Sequence, residues 1–311
     1  MPVQKLYFFA PVANVDASIL KIKLNANFEF DSMTKADGLS FIADLEKIPL
    51  KNFFNYWRFG HTVFQSGGLY LIKNSFEFDL PINEAGKPEI DHNFLLFIYG
   101  FVETNVEKSL RLLRLFKEGN VHIPYWIVYY LEKDEPVVLF ARGLTSSQSQ
   151  NNYHLNDDEI LTAQDFIETT LLPSPPNYIT LAHENYEVSY FIDNDSHAFL
   201  SLMISLEILV KPQRDYRFSR EITRNVGVLL GGFSQYRIGE IEYDISDLYK
   251  KRSQLVHNGK MIWCAVGEPD DVQLLRCYVR KLLKRIIHLN IPKDRLLECL
   301  NNQYGWSDIP K

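Results

Sequence analysis

The chain has 311 residues, enough for two domains at roughly 100–200 residues each. Hydrophobic residues make up 46% and charged residues 23%, the balance of an ordinary globular protein, which excludes a disordered, collagenous or low-complexity scaffold. The formal net charge of −6 argues against the whole chain coating duplex nucleic acid, because phosphate binding normally leaves an excess of Lys and Arg. That sum hides a split. Residues 1–195 hold 15 Lys/Arg against 26 Asp/Glu, a balance of −11, whereas residues 196–311 hold 18 against 13, a balance of +5. An acidic front and a basic back predict two units with different partners.

The three cysteines, Cys264, Cys277 and Cys299, contain no C-x-x-C pair. This predicts neither a disulfide framework nor a cysteine zinc site, and a reducing, cytoplasmic compartment. No apolar run reaches the 18 or so residues of a membrane span, and Leu6-Tyr7-Phe8-Phe9-Ala10 is too short for a secretion signal, so no membrane partner is expected.

In chain order, residues 1–150 read as an α+β domain. Leu6 to Phe9, Ile19 to Leu24, Gly68 to Phe78 and Trp126 to Leu131 are rich in β-branched and aromatic residues and are predicted strands. Asp37 to Ile48 and Val106 to Phe116 have helical spacing, the second closed by Gly119. The aromatic cluster Phe53, Phe54, Tyr56, Trp57 and Phe64 reads as sheet core, and the polar stretch Thr145 to Asn152 as an exposed loop. Residues 151–180 are read as a helix from about Asn156 to Leu172 and a Pro-rich linker. The helix opens on Asp157, Asp158 and Glu159, which suit the positive end of its dipole, and stops before Pro173-Ser174-Pro175-Pro176.

Residues 181–311 are predicted to form an all-α four- or five-helix bundle. His197 to Val210 is apolar almost throughout, the mark of a buried helix. Further helices are expected over Ser219 to Leu230, ended by Gly231-Gly232; Asp244 to Val256, ended by Asn258-Gly259; Asp270 or Asp271 to Asn290; and Asp294 to Leu300.

The third of these carries Tyr249, Arg252, Ser253, His257 and Asn258. Its apolar ladder of Ile245, Leu248, Tyr249, Leu255 and Val256 places Arg252 on the same face. A guanidinium stays protonated, so on such a face it must meet a carboxylate or line a cleft open to an anion. Glu207, the one charged residue between Phe199 and Val210, is the natural partner. His257 follows Arg252 by five residues, about 140° round the axis, at the helix end. Two such edges meeting across a two-fold axis would gather two arginines and two histidines, a site suited to phosphodiester chemistry without metal. With 14 Arg and 8 His, chance alone yields on the order of 0.4 Arg-x4-His pairs, so the context must carry the argument.

Leu248-Tyr249-x-x-Arg252-Ser253-x-Leu255-Val256-His257-x-Gly259, late in a predicted bundle, resembles the HEPN superfamily and its Apea-like branch. Ser205-Leu206-Glu207-Ile208-Leu209 and Arg220-Glu221-Ile222 are similar to the same branch. The likeness covers about residues 180–305. It implies a metal-independent endoribonuclease that acts as a homodimer through the helical domain, uses no cofactor, and works in anti-phage defence or toxin–antitoxin systems. On that likeness His257 is the general base or acid, Arg252 stabilises the pentacoordinate phosphate, and the products carry 2′,3′-cyclic phosphate and 5′-hydroxyl ends. Ser253 occupies the polar position after the arginine, and Tyr249, Glu207 and Asn258 support the site.

Each residue also has a plain reading: a salt bridge for Arg252 with Glu207, a dipole-stabilising helix end for His257, and core packing for Tyr249. The fourth helix sets Arg276, Arg280, Lys281, Lys284 and Arg285 against an apolar stripe, either a solvated face or a surface that tracks RNA phosphates. The competing function is a non-catalytic HEPN module that binds a nucleotide or a partner protein. The amino-terminal domain is read by analogy as a sensor or a site for a partner protein or ligand.

Overall fold

The computed structural model describes residues 3–34, 37, 68–84, 87–143, 152–170, 175–211, 218–232, 235–259 and 270–301. Contacts divide the chain into two compact units, Met1–Thr169 and Thr170–Lys311. All but the first residue of the helix expected over residues 37–48, the aromatic cluster of residues 53–64, Cys264 and most of the 145–152 loop lie outside the described residues.

The first unit is α+β. Five strands, β1 (Val3–Pro11), β2 (Glu29–Thr34), β3 (Gly68–Asp79), β4 (Tyr125–Glu132) and β5 (Glu135–Gly143), form one antiparallel sheet in the order β2-β3-β1-β4-β5. Alternation along the strands sends apolar side chains to both faces. Phe9, Leu69, Leu71 and Ile127 cluster on one side. On the other, Phe8 meets Phe28 edge-on at 5.1 Å and Trp126 at 5.8 Å. Helix α1 (His92–Val102) adds Phe94, Phe97 and Phe101 to rings from β3. Asp91 caps this helix by accepting from the Phe94 amide at 2.7 Å. A π-helical turn (Glu103–Glu107) leads into α2 (Lys108–Phe116), so the predicted Val106 to Phe116 helix is the second half of a longer helical run.

The strand expected over Ile19 to Leu24 is instead a 3₁₀ helix, Ala17–Lys21. The Asp16 carboxylate accepts from the Ser18 amide at 2.9 Å and starts the turn, and Ile19 and Ile22 are both buried, a spacing of three that suits a turn and not a pleat. Helix α3 (Asp157–Thr169) belongs to this unit. Lys21 bonds Asp157 and Lys117 bonds Glu159, both at 2.6 Å, and the Gln164 side chain accepts from the Lys23 amide at 2.9 Å.

The second unit is helical: α4 (Asn177–Phe191), α5 (Asp195–Val210), α6 (Phe218–Gly231), α7 (Gln235–Asn258), α8 (Asp271–Leu289) and α9 (Lys293–Asn301). Helix α5 is capped by Asn194, which accepts from the His197 amide at 3.1 Å. Ser201 and Ser205 let α5 approach α4 closely, their hydroxyls donating to the Asn185 and Ala182 carbonyls at 2.9 and 2.7 Å. The buried Asn225 of α6 donates to the Val210 carbonyl at 3.1 Å, closing the end of α5. Helix α7 begins nine residues before the predicted Asp244. Gly239 and the charges around it hide a helix whose early apolar residue Ile238 packs against Gly227 and Gly231 of α6.

Two glycines set that α6–α7 contact. A Cβ at Gly231 would lie 2.5 Å from Ile238 Cγ1, 3.0 Å from the Ile238 nitrogen and 3.1 Å from its Cα; a Cβ at Gly227 would meet Glu242 Cγ at 2.9 Å. Gly232 then takes φ +60°, the left-handed conformation that ends a helix.

Two stability outcomes follow. Overpacking against fixed backbone costs about 1–3 kcal/mol, so Gly231→Ala lowers the urea stability of the helical unit by that amount. Gly227→Ala meets a movable Glu side chain and gains about 1 kcal/mol of helix propensity, so its change is small or favourable. The second outcome concerns His122, buried in the first unit with its Nδ1–H donating to the Asn120 carbonyl at 3.0 Å. Burial pushes its pKa down to about 4; the Asn120 bond opposes and the Arg114 charge adds to the fall. The folded state keeps this imidazole neutral while the unfolded chain protonates near pH 6.5. Stability from this group is therefore full above pH 6.5 and declines as pH drops towards 4, by up to about 3 kcal/mol. Urea midpoints measured across that range check the slope, and His122→Gln should flatten it.

Candidate functional site

Helix α7 is held against α8 by polar contacts that fix its rotation. Lys251 bonds Asp271 at 2.7 Å and Asp247 at 3.1 Å, and the Tyr278 hydroxyl donates to Asp244 at 2.5 Å. With Lys251 turned to α8, the apolar ladder of Ile245, Leu248 and Tyr249 turns into the core, where all three are buried. The ladder ends there. Leu255 is only half-buried and Val256 is 49% exposed, so the last turn and a half leaves the core and carries Ser253, Gln254, His257 and Asn258 in solvent. Gly259 closes the helix, its amide donating to the Leu255 carbonyl at 3.1 Å with φ +64°.

Glu207 of α5 reaches this face. One carboxylate oxygen accepts from the Tyr249 hydroxyl at 3.3 Å and lies 3.9 Å from Arg252 Nη2. Burial, and then the Glu207 charge, hold the Tyr249 phenol far above its usual range, so it acts as a neutral donor. The Arg252–Glu207 pair is loose. The Arg252 side chain stays 36% exposed against 19% for Glu207, and at 3.9 Å it is an ion pair without a short hydrogen bond. The carboxylate therefore biases the guanidinium without a short hydrogen bond to it, and the side chain remains partly open to solvent.

Arg252 lines a cleft of about 580 Å³ between α6 and α7. Helix α6 contributes Ser219, Arg220 and Thr223; α7 contributes Ser246, Tyr249, Lys250, Arg252 and Ser253. Three cations and four small hydroxyls thus line one opening, and no carboxylate is among its described lining residues. Neither Arg220 nor Lys250 has an ion-pair partner among the described residues. Ser246, Lys250, Ser253 and His257 recur at i, i+4, i+7 and i+11, one stripe of the helix, so the exposed His257 continues the cleft wall. The histidine itself is not among the lining residues of the cleft in a single chain.

Of the residues singled out in the sequence, Arg252, Ser253 and Tyr249 line the cleft, Glu207 contacts two of them, and His257 and Asn258 lie exposed beyond it; Lys250 also lines the cleft, as does Arg220, which the sequence marked only within the Arg220-Glu221-Ile222 likeness. The polar stripe on α7 was readable by spacing alone. The position of Arg220 opposite it depends on how α6 crosses α7, which no local pattern encodes.

The basic stripe of α8 breaks up in three dimensions. Arg276 is buried, donating to the Ser189 hydroxyl at 3.3 Å and carbonyl at 3.0 Å, with its guanidinium 4.5 Å from the Tyr190 ring centroid. It packs α8 on α4 and is removed from any RNA-tracking face. Lys284 is half-buried, and burial followed by the Arg280 charge lowers its pKa, while Arg280 and Arg285 are partly covered and Lys281 is fully exposed. Among the described residues no three His, Cys, Asp or Glu side chains converge as metal ligands, and no helix is long and apolar enough to cross a membrane. No family model matches the chain, and no curated protein or solved structure is significantly similar to it.

This geometry separates packing from function. An exposed, loose ion pair contributes about 0–1 kcal/mol, so Arg252→Ala should leave the urea stability of the helical unit within about 1 kcal/mol of wild type. Tyr249→Phe removes a part-buried hydrogen bond to a charged group and should cost about 1–2 kcal/mol. A loss at Arg252 exceeding that at Tyr249 would assign the arginine to packing.

Proposed function

We propose that the helical unit is an Apea-like HEPN domain and that the protein is a metal-independent endoribonuclease working as a homodimer at Arg252 and His257. The observation that carries this reading is the partly exposed Arg252 in a cationic cleft whose described lining holds no carboxylate, with an exposed histidine on the continuing wall. A packing arginine would have a tight partner, and this one has a carboxylate at 3.9 Å.

In the proposed reaction Arg252 and its copy bind the non-bridging oxygens of the scissile phosphate. One His257 imidazole takes the proton from the ribose 2′-hydroxyl. The 2′-oxygen attacks phosphorus, a pentacoordinate species forms with its charge against the guanidinium, and the bond to the 5′-oxygen breaks. The second His257 delivers a proton to that leaving oxygen. No water is consumed, and the ends are a 2′,3′-cyclic phosphate and a 5′-hydroxyl. Glu207 and Tyr249 orient Arg252, while Ser253 and Asn258 flank the reacting groups. Two histidines are needed in distinct protonation states, and one chain supplies one, which is why the proposal requires the second copy.

A second reading, a phosphate-binding module that does not cut, draws on the absence of His257 from the lining of the cleft in a single chain. Cleavage assays decide between them. Wild-type protein in EDTA should cut single-stranded RNA, leaving ends that polynucleotide kinase can phosphorylate at the 5′ side only. His257→Ala should lower the rate by about 10²–10⁴-fold and Arg252→Ala by about 10²–10³-fold. Activity that survives His257→Ala, or that requires Mg²⁺, removes the mechanism; binding without cutting leaves the second reading.

A further inference from the structure

The sequence-derived site uses only Arg252 of the three cations in the α6–α7 cleft. Arg220 comes from the first turn of α6 and Lys250 from the α7 stripe that ends in His257. Both lack ion-pair partners among the described residues, and the cleft they share has no carboxylate in its described lining. Two cations that line one opening, neither with an ion-pair partner among the described residues, make it electropositive and favour an anion there. The surrounding hydroxyls specify which anion. Ser219, Ser246 and Ser253 each present a donor that rotates to suit, whereas Thr223 Oγ1 spends its proton on the Ser219 carbonyl at 2.7 Å. Several rotatable donors with fixed positive charge match the tetrahedral oxygens of a phosphate.

Position on α7 extends the argument. Lys250 lies seven residues from His257 on one stripe, which at 1.5 Å per residue is about 10.5 Å along the axis. A phosphate held at Lys250 is therefore displaced from one reacting at His257 by a span that one or two nucleotides of extended chain bridge. The opening of about 580 Å³ exceeds a single phosphate and has the size of a pocket for a nucleotide-sized group.

The geometry points to Arg220 and Lys250 as a clamp for a phosphodiester flanking the scissile one, which makes single-stranded RNA the substrate class. This rests on the nuclease reading for its substrate, but not for its binding. Arg220 and Lys250 act as positioning residues: they hold the strand so that its neighbouring phosphate reaches Arg252. Ser246, one turn before Lys250, adds a hydrogen bond to that phosphate, while Ser253, about 10.5 Å further along α7, meets the strand nearer the scissile phosphate, and together they set the register of the strand in the cleft. A duplex holds its phosphates on a rigid helical path, whereas a single strand can bend to bring successive phosphates to Lys250 and His257.

The test measures binding and cleavage separately on the full-length protein. A fluorescein-labelled single-stranded RNA with 2′-O-methyl substitution at every position cannot react and reports Kd by anisotropy over a salt series. Each cation that contacts a phosphate on a single strand contributes about 0.7 to the slope of log Kd against log salt. Arg220→Gln and Lys250→Gln should each reduce that slope by about this amount and together weaken binding at least tenfold. Arg220→Lys and Lys250→Arg, which keep the charge, should restore most of both. In cleavage assays with the all-ribose strand the two Gln variants should raise KM with little change in kcat, while His257→Ala should lower kcat with the Kd unchanged.

Wild-type slope and affinity in the Gln variants would overturn the clamp and leave the nuclease reading standing. The slope change without any cleavage by the wild type would sustain the clamp and remove the nuclease reading. AMP or inorganic phosphate binding as tightly as the oligonucleotide, or a glutamate-rich peptide competing equally with it, would show a site for free phosphate or for acidic protein and overturn the assignment to RNA.

Discussion

The close approach of α6 and α7 at Gly231 is the constraint on which the site depends. With Ile238 backbone atoms at 3.0 and 3.1 Å from where a Cβ would stand, the two helices are in backbone contact at that end. Everything further along is set by the crossing. Ser219, Arg220 and Thr223 come to lie across from Ser246, Lys250 and Ser253, and side chains there leave an opening. A larger residue at 231 would force the axes apart where they now touch and alter the spacing of the cleft walls. The second restraint acts through polar contacts. Lys251 to Asp271 and Tyr278 to Asp244 stop α7 from rolling, so its polar stripe stays turned to α6 and solvent.

These two restraints explain why Arg252 escapes a tight ion pair. Its neighbour Lys251 points to α8, and the helical step of 100° per residue then places Arg252 beside Glu207 at the margin of the core. A fully buried guanidinium would lose several kcal/mol of hydration and need a close partner; one at the margin does not. Arg276 shows the contrast. It is buried and has two hydrogen bonds to Ser189 and a ring face at Tyr190. The same residue type packs in the core on α8 and lines an open cleft on α7, and the difference lies in depth and partners.

The charge division gains meaning in the same way. Among the described residues, the cations behind the +5 of residues 196–311 have different surroundings. Part of that charge is spent internally, as at Arg276 and Lys251, and part is concentrated in the α6–α7 cleft as Arg220, Lys250 and Arg252. The acidic first unit uses its own charges locally: Asp157 and Glu159 at the start of α3 pair with Lys21 and Lys117, so that a helix-opening acidic turn doubles as the clamp that docks the helix.

Local patterns in the sequence determined a good part of this. Apolar runs marked β1, β3 and β4, an all-round apolar stretch marked the buried α5, and capping residues marked Asp270 and Gly259 as helix limits, because these depend on neighbours within a turn or two. The Glu207–Arg252 pairing was legible because an isolated charge on each of two apolar faces must be accounted for. Helix α4 and strands β2 and β5 were not legible. Helix α4 and strand β2 mix apolar and polar types without a clean period, and β2 takes its structure from β3 well along the chain; β5 was missed although its run Val137 to Ala141 is apolar and it pairs with β4 across the tight turn at Lys133 and Asp134. The 3₁₀ helix at Ala17 was misread because β-branched residues favour a strand, while the Asp16 cap decided for a turn. Tertiary structure alone put Arg220 across from Lys250 and took Arg276 out of the basic stripe. Both outcomes depend on the angle and depth at which helices cross, and those are set by the summed packing of residues distant in sequence.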